Sequence, residues 1–164
     1  MGLDTSHGCW HGAYSAFMRW RTEIAKAAGI PLMFMDGFHR CPPDHHPLVI
    51  AGREQRAERD RGGPVLGPKW DALADWALDH DDLLPLSWSL FKGHPLVPLL
   101  NHSDCEGSIA SADCGPLADA LESLLPKLPQ GSGGGHIGDW REKTQTFIDG
   151  LRRAATAGED VGFH

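Results

Sequence analysis

The sequence predicts an α+β fold: a single compact domain over residues 1–164, with three to four helices packed on a small sheet of short strands and much loop. Three observations support it. A chain of 164 residues is long enough for one hydrophobic core, whereas two halves of that length would each bury little surface. Segments of helical periodicity are separated by short apolar runs of strand length. The 20 Gly and 12 Pro supply turns and irregular stretches around an otherwise ordinary globular composition.

In chain order, residues 12–28 read as an amphipathic helix. Tyr14, Phe17, Met18, Ile24, Ala25 and Ala28 share one face, and Gly29 with Pro31 stops it. Arg21 lies on that face, so its cation must reach the edge or find a partner, while Arg19 sits on the flank. From about 31 to 68 the pattern dissolves into "GFHRCPPDHHP" and "REQRAERDRGG", a poorly structured excursion in which only Leu48, Val49 and Ile50 suggest a short strand. His45 and His46 are then surface residues.

Pro68 opens a short helix with Trp70, Leu73, Ala74 and Ala77 inward, followed by the acidic loop "DHDD" at 79–82. "LLPLSWSLF" and "HPLVPLLNH" read as two short extended segments, although their prolines restrict them to edge positions or to no regular pairing. Residues 114–128 form a second clear helix, with Leu117, Leu121, Leu124, Leu125 and Leu128 on one stripe and Pro116 in the first turn. The third begins after "GSGGGHIG", with Asp139 and Glu142 spaced as cap and N3 partner. It carries Trp140, Phe147, Ile148 and Leu151 inward until Gly158. There is no internal repeat.

The formal charge of -7 argues against binding duplex nucleic acid, which needs a basic face, but leaves room for a local pocket that takes a small anion. No run of about 18 apolar residues predicts a membrane partner. The four cysteines, Cys9, Cys41, Cys105 and Cys114, form no CxxC pair, and no signal-peptide pattern opens the chain; the expectation is a reduced protein of the cytoplasm.

Three segments share one grammar, a polar Gly-containing turn just before a helix: "DTSHGCWHG", "HSDCEGSIASADCG" and "GSGGGHIGD". Helix N-termini leave backbone N–H groups unpaired and carry partial positive charge, so such turns hold anions; Gly and Asp there also serve as plain turn and capping residues. If the three helices converge, the turns line a ligand pocket with His7, His11, His102, Ser103, Asp104 and His136. Arg19, Arg21 and Tyr14, with Trp10 and Trp20 nearby, would add guanidinium forks and aromatic faces suited to a nucleotide. The same aromatics and arginines also fit a core and a surface.

His7, His11, His102, Asp104 and Cys105 are ligand types for one divalent transition metal, with Asp4 and His136 as orienting or additional groups, although the spacing matches no standard zinc pattern. A hydrolase built on them would use His102 and Asp104, with His7, His11 or Asp4, around the metal and Glu106 or His136 as base or acid. Cys105 beside His102 also admits a nucleophile, against the commoner role of a turn cysteine in packing.

At "MGLDTSHGCWHGAYSAFMRWRTEIAKAAG", "LLNHSDCEGSI" and "GGGHIGDWREKTQTFIDGLRRAATAGEDVGFH" the chain resembles a family of small uncharacterised proteins of actinobacterial phages and their hosts. That resemblance implies a phage-type accessory protein acting in the host cytoplasm. "HSDCEG" is separately similar to the first motif of DHH-family phosphoesterases, which implies His102 and Asp104 as metal ligands with Glu106 in place of an Asp. In those enzymes the D-H-H motif lies downstream, whereas Asp44, His45 and His46 lie upstream here.

The leading expectation is therefore a protein that binds a small anionic ligand, a nucleotide above all, and in its sharpest form sequesters a nucleotide signal of host defence. The alternatives are a metal-dependent phosphodiesterase and a structural protein that acts through a surface, as a homo-oligomer or on a host protein.

Overall fold

Helical periodicity, caps and stops decide where the long helices lie. The computed structural model describes residues 2–38, 47–62, 85–103 and 106–164. Within them the strands are β1 (Gly2–Asp4), β2 (His11–Ala13), β3 (Gly107–Ile109) and β4 (Val161–Phe163). The helices are α1 (Tyr14–Ala28), α2 (Pro47–Asp60), α3 (Val97–Leu100), α4 (Ser111–Leu124) and α5 (Trp140–Ala157). The architecture is α+β, as expected.

The chain divides into two compact units, one formed by Met1–Ala27 with Phe91–His164 and the other by Ala28–Leu90. The segment expected as an excursion thus falls in a unit of its own. There Met35 bridges Leu86, and the Trp88 indole donates to the Asp36 carbonyl at 3.1 Å. Where a strand was expected at Leu48, Val49 and Ile50, the chain is helical. A short apolar run cannot by itself tell strand from helix; Pro47 suits a first helical position, and the Arg, Glu, Gln and Ala that follow are strong helix formers. The expected helix from Pro68, the acidic cluster at 79–82, and Cys41, His45 and His46 lie outside the described residues.

In the larger unit, α1 buries Phe17, Trp20, Ile24 and Ala25, and α5 buries Phe147, Ile148 and Leu151. Their rings form one cluster: Trp20 lies 4.7 Å from Phe147, and Trp10 lies 5.1 Å from Phe17. The buried Trp20 indole N–H is satisfied: it donates to Thr144 Oγ1 at 2.9 Å, whose hydroxyl donates in turn to the Trp140 carbonyl. The cap of α5 is as expected, with the Asp139 carboxylate accepting from the Arg141 and Glu142 N–H groups and Gly158 closing the helix in the left-handed conformation. Helix α4, which packs along α5, starts at Ser111 rather than 114, so Pro116 is interior to it and costs one intrahelical bond.

Two expectations about strands are corrected. "VPLL" is a turn of helix and no strand, because Pro98 removes a donor a ladder would need, while in the first turn of a helix it gives up an N–H that has no helical partner anyway. "HSDCEG" therefore follows a buried helical turn, with Leu99 and Leu100 in the core. In place of one small sheet there are two antiparallel ribbons, β1–β2 and β3–β4. An isolated bridge from Thr5 to Phe163 links them, and Asp4 and His164 exchange backbone hydrogen bonds of 2.8 and 3.0 Å, so the two ends of the chain pair directly. The terminal "VGF" was not anticipated as a strand, since three residues carry too little alternation to register.

Candidate functional site

Two of the three polar turns meet. Strand β2 enters α1 through Gly12, whose φ of +153° favours glycine, and a Cβ there would lie 2.9 Å from the Cβ of His136. The absence of a side chain is what lets the glycine-rich turn 131–138 lie against β2. His11, Gly12, Ala13, Gly2 and His136 line a cleft of about 280 Å³. At its edge the His11 Nδ1–H donates to Asp4 Oδ1 at 2.5 Å across the β1–β2 ribbon, where the two residues are register partners. The carboxylate accepts only, so Nδ1 carries a proton, and in the neutral imidazole the lone pair is then on Nε2.

The Asp4–His11 pair is exposed, its side chains 54% and 83% accessible. An ion pair in water adds little to stability, so the fold does not need it. Lys143 supports the same strand from α5: its Nζ donates to the His11 carbonyl at 2.9 Å and sits 4.2 Å over the Trp10 ring. Burial holds its pKa below the usual lysine range. Arg19 braces the glycine-rich turn from α1, donating to the Gly133 carbonyl at 3.0 Å.

The described part of the "HSDCEG" turn is placed elsewhere. Arg21, expected as a fork for ligand phosphate, is 1% exposed and donates through Nη1 to the carbonyls of His102 (2.6 Å) and Leu99 (3.3 Å), with its guanidinium 4.9 Å from the Phe17 ring centre. It terminates α3 from inside the core, so a ligand does not reach it. Burial lowers its pKa to about 10, which leaves it charged at neutral pH. The His102 ring stacks on Phe163 at 4.0 Å and donates through Nδ1 to the Ser103 carbonyl at 2.6 Å. Glu106 is exposed at the entry to β3. Asp104 and Cys105 lie outside the described residues, so the nucleophile and metal readings of that pair rest on the sequence alone.

His7 takes a third position. It has φ +57°, unusual for a residue with a side chain, and Arg153 Nε and Nη2 clamp its carbonyl at 3.1 and 2.7 Å while its Nε2 reaches Glu159 at 3.2 Å. Among the described residues, His11 and His136 share a cleft, whereas His7 meets Glu159 and Arg153 at the end of α5 and His102 lies against Phe163. Tyr14, half-buried at the start of α1, lies next to the cleft residue Ala13 in sequence but is not among the residues that line it. Among the described residues, no three His, Cys, Asp or Glu side chains come together to hold a metal.

Sequence reasoning missed Lys143 and Arg153. Both lie on the flank of an amphipathic helix, where Lys and Arg are ordinary, and nothing local ties them to carbonyls more than a hundred residues earlier.

No known family matches the chain by its sequence profile, and no curated protein or solved structure matches it. Among the described residues, no helix is long and apolar enough to cross a membrane.

Proposed function

We propose that this protein binds a small phosphate-bearing ligand, a nucleotide being the class that fits best, in the cleft between β2 and the glycine-rich turn. The observation that carries the reading is the pairing of His11, oriented by Asp4, with His136 across Gly12. Two imidazoles and a glycine-rich turn with backbone N–H groups offer hydrogen bonds to an anion in an otherwise acidic protein. Lys143 and Arg19 supply positive charge to the two elements that form the walls. For a phage-type accessory protein the same pocket would serve to sequester a nucleotide signal of host defence, which requires affinity and abundance but no turnover.

Calorimetry against linear and cyclic nucleotides tests this. Binding tighter than about 100 μM, or roughly 5 kcal/mol, is expected for at least one of them. His11→Ala or His136→Ala should weaken it at least about tenfold, a loss of about 1.4 kcal/mol, whereas His102→Ala should not. No binding at that level across the panel refutes the proposal.

A second reading keeps the metal-dependent hydrolase at His102. It is favoured by one observation, the Nδ1–H bond to the Ser103 carbonyl, which is how a ligating imidazole is commonly oriented with Nε2 directed at the metal. Native mass spectrometry of protein purified without chelator separates the two. A mass excess of a few hundred daltons supports the nucleotide, and an excess of one or two metal ions that His102→Ala abolishes supports the hydrolase.

A further inference from the structure

We infer that the His11–His136 cleft cleaves a phosphodiester that carries its own neighbouring hydroxyl, the linkage found in ribonucleotides, with His11 taking a proton and His136 returning one. The inference rests on the binding proposal above and adds a reaction to it.

The two imidazoles are not equivalent. Asp4 holds the Nδ1–H of His11, which fixes the tautomer with the lone pair on Nε2 and stabilises the imidazolium that forms when Nε2 accepts a proton. This is the arrangement of a general base. Among the described residues no group bonds the His136 imidazole, so both its nitrogens are open to carry protons and its cationic form is an acid. The two line the same cleft because Gly12 lacks a side chain, as the 2.9 Å approach to the His136 Cβ requires.

The chemistry of this pair selects the substrate class. Two imidazoles move protons but provide little to activate water against a phosphodiester. A ribose 2′-hydroxyl beside the phosphorus removes that requirement, because an internal nucleophile has an effective concentration far above any solute. His11 Nε2 takes the 2′-hydroxyl proton as the O2′–P bond forms. The P–O5′ bond breaks, its electron pair leaves with O5′, and that oxygen takes a proton from His136. The products are a 2′,3′-cyclic phosphate and a free 5′-hydroxyl. His11 then loses and His136 regains a proton through water, so nothing is oxidised or reduced and no co-reactant is consumed. Asp4 is a positioning residue in this scheme.

The test uses the full chain with a 3′,5′-linked ribodinucleotide and its 2′-deoxy counterpart, both in excess EDTA, with products read by phosphorus NMR and binding by calorimetry. Cyclic phosphate is expected from the ribo substrate alone, with a bell-shaped dependence of rate on pH. His11→Asn and His136→Asn should each lower kcat by about 100-fold or more while still binding the 2′-deoxy compound. Asp4→Asn should lower kcat with little change in KM and displace the limb of the pH profile that belongs to the base. If the 2′-deoxy compound binds but the ribo substrate is not cleaved, the inference falls and the binding proposal stands. If neither compound binds, the inference falls, and the nucleotide panel above decides the binding proposal separately. Cleavage that survives both histidine substitutions also overturns the inference.

Discussion

Gly150→Ala is a severe test of how the first turn packs on α5. An ideal Cβ at position 150 would lie 2.5 Å from the Cys9 Sγ, 2.8 Å from its Cα and 2.9 Å from its N. Ordinary carbon contacts begin near 3.5 Å, so the new methyl overlaps three atoms. One belongs to a side chain and two to backbone, and that backbone has no slack: Cys9 is wholly buried, the Trp10 N–H donates to Thr5 Oγ1 at 2.7 Å, and Arg153 clamps His7 two residues away. Alanine gains about 1 kcal/mol over glycine in a helix interior. Overpacking costs about 1–3 kcal/mol where neighbours can shift and more where they cannot, so a cost of about 4 is expected here and a net loss of about 2–3. At this chain length that lowers Tm by about 4–12 °C.

Urea unfolding followed by circular dichroism measures the loss as a lower midpoint with an unchanged slope. In a double-mutant cycle with Cys9→Ala, about 1 kcal/mol should be recovered, since only the Sγ contact is relieved. A Gly150→Ala variant as stable as the parent, or more so, would refute the packing of Cys9 against α5.

Three further predictions follow from the same core. Arg21→Met keeps the bulk but strips the carbonyls of Leu99 and His102 of their donor, and should cost about 2–4 kcal/mol while raising amide exchange at 99–103, read by mass spectrometry. Burial, then the charge of Cys114, pushes the Cys9 thiol from the ordinary 9.0 up to about 12. Both states hold that proton below pH 9; above it the unfolded chain releases the proton and the folded one does not, so this contribution to stability is kept at neutral pH and lost from pH 9 to 12, by up to about 1.4 kcal/mol per unit. Parallel slopes for the parent and Cys9→Ala in that range would contradict this, as would alkylation of Cys9 at pH 8 without unfolding. Removal of residues 161–164 deletes β4, the bridge to Thr5 and the ring of Phe163 against Phe17, and should leave a chain without a cooperative thermal transition.

What could be read from the sequence is what is local. The cap at Asp139, the stop at Gly158 and the inward stripes of α1, α4 and α5 each depend on residues within a few positions, so their pattern survives without knowledge of the rest. Arg21 was legible as a problem, a cation on an apolar face, but its solution was not, because the carbonyls it meets lie about 80 residues away. The site was half legible. His11 and His136 stood out as histidines in glycine-containing turns, yet so did His7 and His102, and the residue types do not say which turns meet.

The sequence by itself determined the inward faces of α1, α4 and α5, the cap and stop of α5, the α+β class and the acidic balance, because periodicity, capping and charge are properties of neighbouring residues or of composition. Only the tertiary structure decided that an isolated bridge and the Asp4–His164 bonds tie the last ribbon to the first, and that His11 and His136 line one cleft while His7 and His102 meet other partners. Those outcomes depend on contacts between residues far apart in sequence, such as the approach of the His136 turn to β2 that the missing side chain of Gly12 allows.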